Sequence, residues 1–118
     1  MNAARRITLE ARNESLQLAA PFRISGYVFE HVPVTLATLH DGGRHDGIPR
    51  SDVPRGRGEA AGVYYLGDQP EGMLATIEAL RGEIEAGLDR QALQSLLPPG
   101  GARNALDCAL WELEAQRA

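Results

Sequence analysis

Two imidazoles and two carboxylates fall within seven residues at His40-Asp41 and His45-Asp46, all donor types that bind transition metals. Residues 41–55, which carry most of them, also hold three glycines and two prolines without apolar periodicity. Asp and Gly in such a stretch serve turns, so it reads as a long hairpin connection and no metal ligand is assigned. Gly56-Arg57-Gly58-Glu59 has the look of a phosphate-cradling loop, but neither a lysine nor a helix follows it directly. It reads as a tight strand entry, with Glu59 an exposed or ion-paired carboxylate. One carboxylate without a partner, a nucleophile or a metal specifies no reaction. Cys108 sits inside a helical stretch beside Asp107, without the cationic neighbour that makes a thiolate, and is expected as a small core or half-buried hydrophobe. Trp111 is expected to pack helix on helix, Asn104 to serve the start of its helix, and His31 to face solvent. All twelve basic residues are arginine, which removes Schiff-base chemistry, a P-loop lysine and a lysine base. No catalytic residue is assigned.

Binding chemistry is better represented. Residues 19–30 contain Phe22, Arg23, Tyr27 and Phe29, and residues 62–67 contain Tyr64 and Tyr65. Both segments read as loops. Rings in loops suit closure over an organic ligand, and the planar fork of Arg23 suits a carboxylate. The same rings would equally serve to fill a small core beneath the loops.

The elements that position these loops follow from periodicity. Ile7, Leu9 and Ala11 alternate with Thr8, Glu10 and Arg12, which predicts a strand with one buried face, continuing through Leu16 and Leu18. Val32, Val34 and Leu36 alternate likewise up to Leu39, with Pro33 pointing to an edge position at its start. A short third strand is expected over residues 58–61. From Pro70 the period changes: Met73, Ile77, Leu80 and Ile84 form one apolar stripe on a helix that stops at Gly87. Asp89 caps a shorter helix through Leu97, and Pro98-Pro99-Gly100-Gly101 ends it. A third helix covers residues 102–116. Strands first and helices after is the α+β order: a three-stranded antiparallel meander with about three helices packed on one face.

The chain has 118 residues and a net charge of −4, with its arginines scattered, so one domain is expected and nucleic acid is not a partner. No apolar run approaches the roughly 20 residues of a membrane span, and residues 1–9 lack the apolar core of a signal peptide. A cytoplasmic, non-membrane protein is expected.

Pro21-Phe22-Arg23-Ile24-Ser25, Gly56-Arg57-Gly58-Glu59 and the stretch from Asn104 to Trp111 together resemble the N-terminal capping domain of the enolase superfamily. Within it the likeness is to the mandelate-racemase and muconate-lactonizing branch, closest to dipeptide epimerases, and it covers nearly the whole chain. The resemblance implies a (β/α)8 barrel after residue 118. Such a barrel binds Mg2+ and abstracts a proton alpha to a carboxylate with its own lysines or histidine. It also implies that residues 1–118 act as a lid that reads a small carboxylate substrate, a dipeptide or an N-acyl amino acid. Carried over by position, the substrate-binding residues would be Phe22, Arg23, Ile24 and Ser25 in the first loop and Tyr64 and Tyr65 in the second. Relatives often follow the Pro-Phe-Arg-Ile-Ser stretch with another arginine where this chain has Gly26, and the 41–55 hairpin is longer than usual. Partners implied are the barrel and further copies of the chain. The rival reading is a free-standing α+β ligand-binding or interaction module without catalysis.

Overall fold

The computed structural model describes residues 7–63 and 67–118. Elements run β1 (Ile7–Ile24), β2 (Tyr27–Asp41), β3 (Arg44–His45), β4 (Ile48–Pro49), β5 (Arg55–Ala60), α1 (Pro70–Ala79), α2 (Arg81–Glu85), α3 (Arg90–Leu96) and α4 (Gly101–Arg117). The main sheet is antiparallel in the order β1-β2-β5, and β3-β4 is a small ribbon inside the 41–55 connection. The α+β meander is therefore present. No helix among the described residues is long and apolar enough to cross a membrane.

Alternation along the strands decides which face is covered. Leu9, Ala37, Leu39 and Ala60 point into the core with Met73, Ile77, Ile84, Leu93, Leu106 and Leu113 from the helices. Glu10, Arg12, Arg57 and Glu59 stay exposed. The two glycines of the Gly-x-Gly stretch belong to this packing: an added Cβ would stand 2.0 Å from the Ala109 carbonyl oxygen at Gly56 and 1.7 Å from that of Ala105 at Gly58. Helix α4 lies directly on the β5 backbone, so these residues are strand interior and begin earlier than expected, at Arg55.

Strand β2 is central over most of its length and an edge at its start, as Pro33 indicates: β5 pairs with β2 only as far as Thr35↔Ala60, leaving Pro33 opposite Ser15 beyond the end of β5. Two expectations need correction. The helix expected over residues 70–87 breaks at Leu80 (φ −96°, ψ 3°), giving four helices in place of three, although its buried stripe runs through the break to Ile84. Gly87, at φ 103°, does end it. Cys108 is exposed, because α4 buries Ala105, Leu106, Ala109 and Leu110 and leaves position 108 on the outer side.

The largest difference concerns residues 19–30. They are not a loop but the outer half of the β1-β2 hairpin. Gln17 pairs with His31 and Phe22 with Phe29, so residues 18–21 lie opposite Glu30 alone. This bulge absorbs Pro21, which has no N–H to give a ladder. Beyond it the ribbon projects from the core, and the molecule measures 58 × 29 × 26 Å with a radius of gyration of 15.6 Å. A compact domain of this length would have about 13.5 Å.

Candidate functional site

The projecting ribbon turns at Ser25 and Gly26, whose φ values of 45° and 86° match the left-handed pair that suits a two-residue hairpin. Cross-strand partners share a face, so the pairs Phe22↔Phe29 and Ile24↔Tyr27 put four apolar or aromatic side chains on one side of the ribbon. Tyr27 and Phe29 stack at 6.2 Å with 17° between their planes. Arg23 pairs with Val28 on the opposite side. Phe22 is 57% exposed and Tyr27 52%, in a ribbon with no third strand beside it among the described residues. A two-stranded ribbon of this kind is marginal in water by itself.

Behind the apolar face lies a cavity of about 530 Å³ between the ribbon and the segment that follows β5. Leu18, Phe22, Phe29, Val32, Pro33 and Pro70 form its apolar walls, and His31, Asp68 and Gln69 supply the polar groups. Its volume is that of a small-molecule site. The far wall is held in place through Asp68. The Gly101 N–H donates to Asp68 Oδ2 at 3.0 Å, which caps α4 from another segment, and the Asp68 N–H donates to the Val63 carbonyl at 3.2 Å. Asp68 does not cap α1, the helix it precedes, whose N-cap is Gln69 without a side-chain bond. Gly100 is the N-cap of α4, and Asn104, one turn in, receives a 3.9 Å contact from the Cys108 thiol in place of a capping role.

The structure thus brings Phe22 and Ile24 together with Tyr27 and Phe29, sets Ser25 in the turn, and places Arg23 away from the cavity-side face. Tyr64 and Tyr65 lie outside the described residues. Leu18 and Val32 went unassigned from the sequence; the signal was present in Pro21, which forces the bulge that brings both into the wall. His31 is exposed, as expected. Trp111 is exposed too, and reaches α3 through Arg90, whose guanidinium carbon stands 3.5 Å from the ring centre.

The first histidine–aspartate pair, His40-Asp41, is tied into the scaffold. His40 is buried, with Nε2 2.6 Å from Glu10 Oε1, and Arg117 Nε donates to Asp41 Oδ2 at 2.9 Å. No three His, Cys, Asp or Glu side chains among the described residues converge where a metal ion could sit. The Mg2+ that the resemblance implies therefore has no donor set among them.

No protein-family model matches the chain. The L-Ala-D/L-Glu epimerase of Escherichia coli (strain K12) is 34% identical over 110 residues, which is 93% of this chain and 31% of that protein. A solved L-Ala-D/L-Glu epimerase superimposes with a TM-score of 0.79 at 31% identity, covering 98% of this chain and 31% of the other. An enolase family member from Agrobacterium tumefaciens with homology to dipeptide epimerases gives 0.80 at 38% identity, over 94% of this chain and 31% of that one. The chain belongs to the N-terminal capping domains of the enolase superfamily. It spans about a third of the length of these relatives, 31% in each case. The Agrobacterium structure holds sodium and L-Ala-L-Glu with an ordered loop. Within this chain the three-stranded sheet and α4 form the scaffold, and the ribbon and the segment after β5 border the cavity.

Proposed function

We propose that this capping domain is the substrate-specificity lid of a dipeptide epimerase or racemase, and that a (β/α)8 barrel in the same polypeptide carries the catalytic residues. The supporting observation is the ribbon: four apolar or aromatic residues on one exposed face, projecting beyond the core and beside an apolar cavity. A self-sufficient module gains nothing by holding such a face in water, whereas a lid needs it to cover a partner. The epimerase relatives, each about three times the length of this chain, support the barrel.

In this reading a Mg2+ ion would be held by residues of the barrel and not by residues 1–118, and would supply Lewis-acid stabilisation of developing negative charge there. The lid's residues do different work. Phe22 and Ile24 close over the substrate and exclude water, Tyr64 and Tyr65 are assigned to the same contact by position, and Ser25 sets the turn, while Arg23 stands on the ribbon's other side, away from the cavity. Closure of this kind raises the strength of every electrostatic contact inside.

The test is exchange of the α-proton of dipeptides for deuterium in D2O, followed by NMR, with the polypeptide its native source makes. Exchange is expected, and Phe22→Ala is expected to raise KM more than it lowers kcat. A native polypeptide that exchanges no dipeptide or N-acyl amino acid would overturn the proposal in favour of a binding module without catalysis.

A further inference from the structure

We infer, resting on the lid reading above, that the distal residue this lid accepts is hydrophobic, in contrast to the glutamate of the L-Ala-L-Glu bound to the Agrobacterium relative. The cavity between ribbon and far wall has apolar sides, and no arginine is among the described residues that line it. Arg23 is the nearest cation along the chain, and its pairing with Val28 sets it on the opposite side of the ribbon from Phe22. The turn cannot supply another. Gly26 holds φ 86°, a conformation that residues with a side chain rarely adopt, and it contributes no group at all.

The charge that does stand in the wall has the wrong sign for an acidic ligand. Asp68 is fixed there by its bond from the Gly101 N–H, so it cannot swing away when a ligand enters. A glutamate side chain would give up its hydration, find no guanidinium, and face a carboxylate of like charge. A leucine or phenylalanine side chain would lose nothing polar and would cover Leu18, Phe22, Phe29 and Val32. The remaining polar groups, His31 and Gln69, are hydrogen-bonding groups able to orient a peptide bond.

The experiment compares L-Ala-L-Leu, L-Ala-L-Phe, L-Ala-L-Glu and L-Ala-L-Lys as substrates of the full polypeptide, reading α-proton exchange in D2O. The expected result is a kcat/KM for the Leu or Phe dipeptide at least about tenfold above that for the Glu dipeptide, the scale on which one pocket contact discriminates. Ala20→Arg, a substitution at an exposed cavity position, is expected to narrow that ratio by supplying the missing cation. The highest kcat/KM with the Glu or the Lys dipeptide would overturn the inference while leaving the epimerase reading intact. No exchange with any of the four would overturn both.

Discussion

The Arg81 guanidinium donates from Nη1 to the backbone carbonyl of Leu9 at 2.7 Å, joining residues 72 positions apart. Beside it the Leu9 N–H donates to Glu85 Oε2 at 2.9 Å. Strand β1 is an edge of the sheet, and an edge strand presents backbone groups that need partners. One turn of helix, carrying Arg81 and Glu85, stands in for the missing neighbour strand. Arg81→Ala should therefore destabilise the protein by about 1–2 kcal/mol, the range for a lost charge-assisted bond to a backbone group at a site that is partly solvated. Urea denaturation checks this: the midpoint should fall with the slope unchanged, and an unshifted midpoint would mean the contact contributes nothing.

The same cluster sets an acid limit. The hydrogen bond from Arg81 holds the Glu78 carboxyl below its ordinary value of 4.5, ahead of a smaller opposing effect of burial. For Glu85 burial pushes upward most strongly, but the Leu9 N–H, Arg44 and Arg81 together outweigh it and the net direction is down. Both carboxyls bind protons more weakly when folded than when unfolded. Their stabilisation is complete above the unfolded value of 4.5 and is lost as pH falls below it through the lowered native values. Thermal midpoints from pH 6 downward should fall most steeply below pH 4.5, and Arg81→Ala should flatten that fall. An unaltered acid slope in the variant would place the responsible groups elsewhere.

Two pairs of glycines should respond oppositely to alanine. At Gly58 a Cβ would overlap the Ala105 carbonyl oxygen, and at Gly56 that of Ala109, so either substitution must push α4 off the sheet. Overpacking against backbone of this kind costs about 1–3 kcal/mol or more. Gly72 and Gly82 lie in α1 and α2, where a Cβ meets nothing within 4 Å. Alanine there should stabilise by roughly 0.5–1 kcal/mol through helix propensity and a less disordered unfolded chain. Thermal melts should thus move down for Gly58→Ala and up for Gly72→Ala.

These glycines also mark where the sequence was opaque. Alternation from Ile7 to Ala11 and from Val32 to Leu36, the Asp89 cap that accepts the Ala92 N–H at 2.7 Å, and the apolar face of α4 were all legible, because each depends on residues close in sequence. The Gly-x-Gly stretch reads as strand entry in the sequence, since its requirement comes from a helix that begins about forty residues later. The ribbon reads as a loop for a related reason. Pro21 and the mixed aromatics conceal a register shift that only pairing with Glu30 and Phe29 defines. Of the candidate site, Phe22 is legible from residue type and Ile24 from the family resemblance, while Leu18, Val32 and Asp68 become visible only when the bulge and the α4 cap bring them to one cavity.

The ribbon's dependence on a partner can be measured directly by hydrogen exchange. Within β2, residues 34–40 are flanked on both sides by paired strands or lie under the helices, and most are buried. Residues 22–29 have one strand neighbour each and almost no burial, so local opening there exposes little additional apolar surface. Opening free energies scale with what opening exposes, and a two-stranded ribbon is marginal alone. In the 118-residue chain, amides of residues 22–29 should therefore exchange at least about a hundredfold faster than those of residues 35–39. In a polypeptide that also carries the barrel, a lid closed on its partner should slow the first group selectively, and addition of an accepted dipeptide should slow it further. Equal protection of both groups in the chain by itself would mean that the ribbon is stabilised from within, and would remove the reason for assigning it a partner.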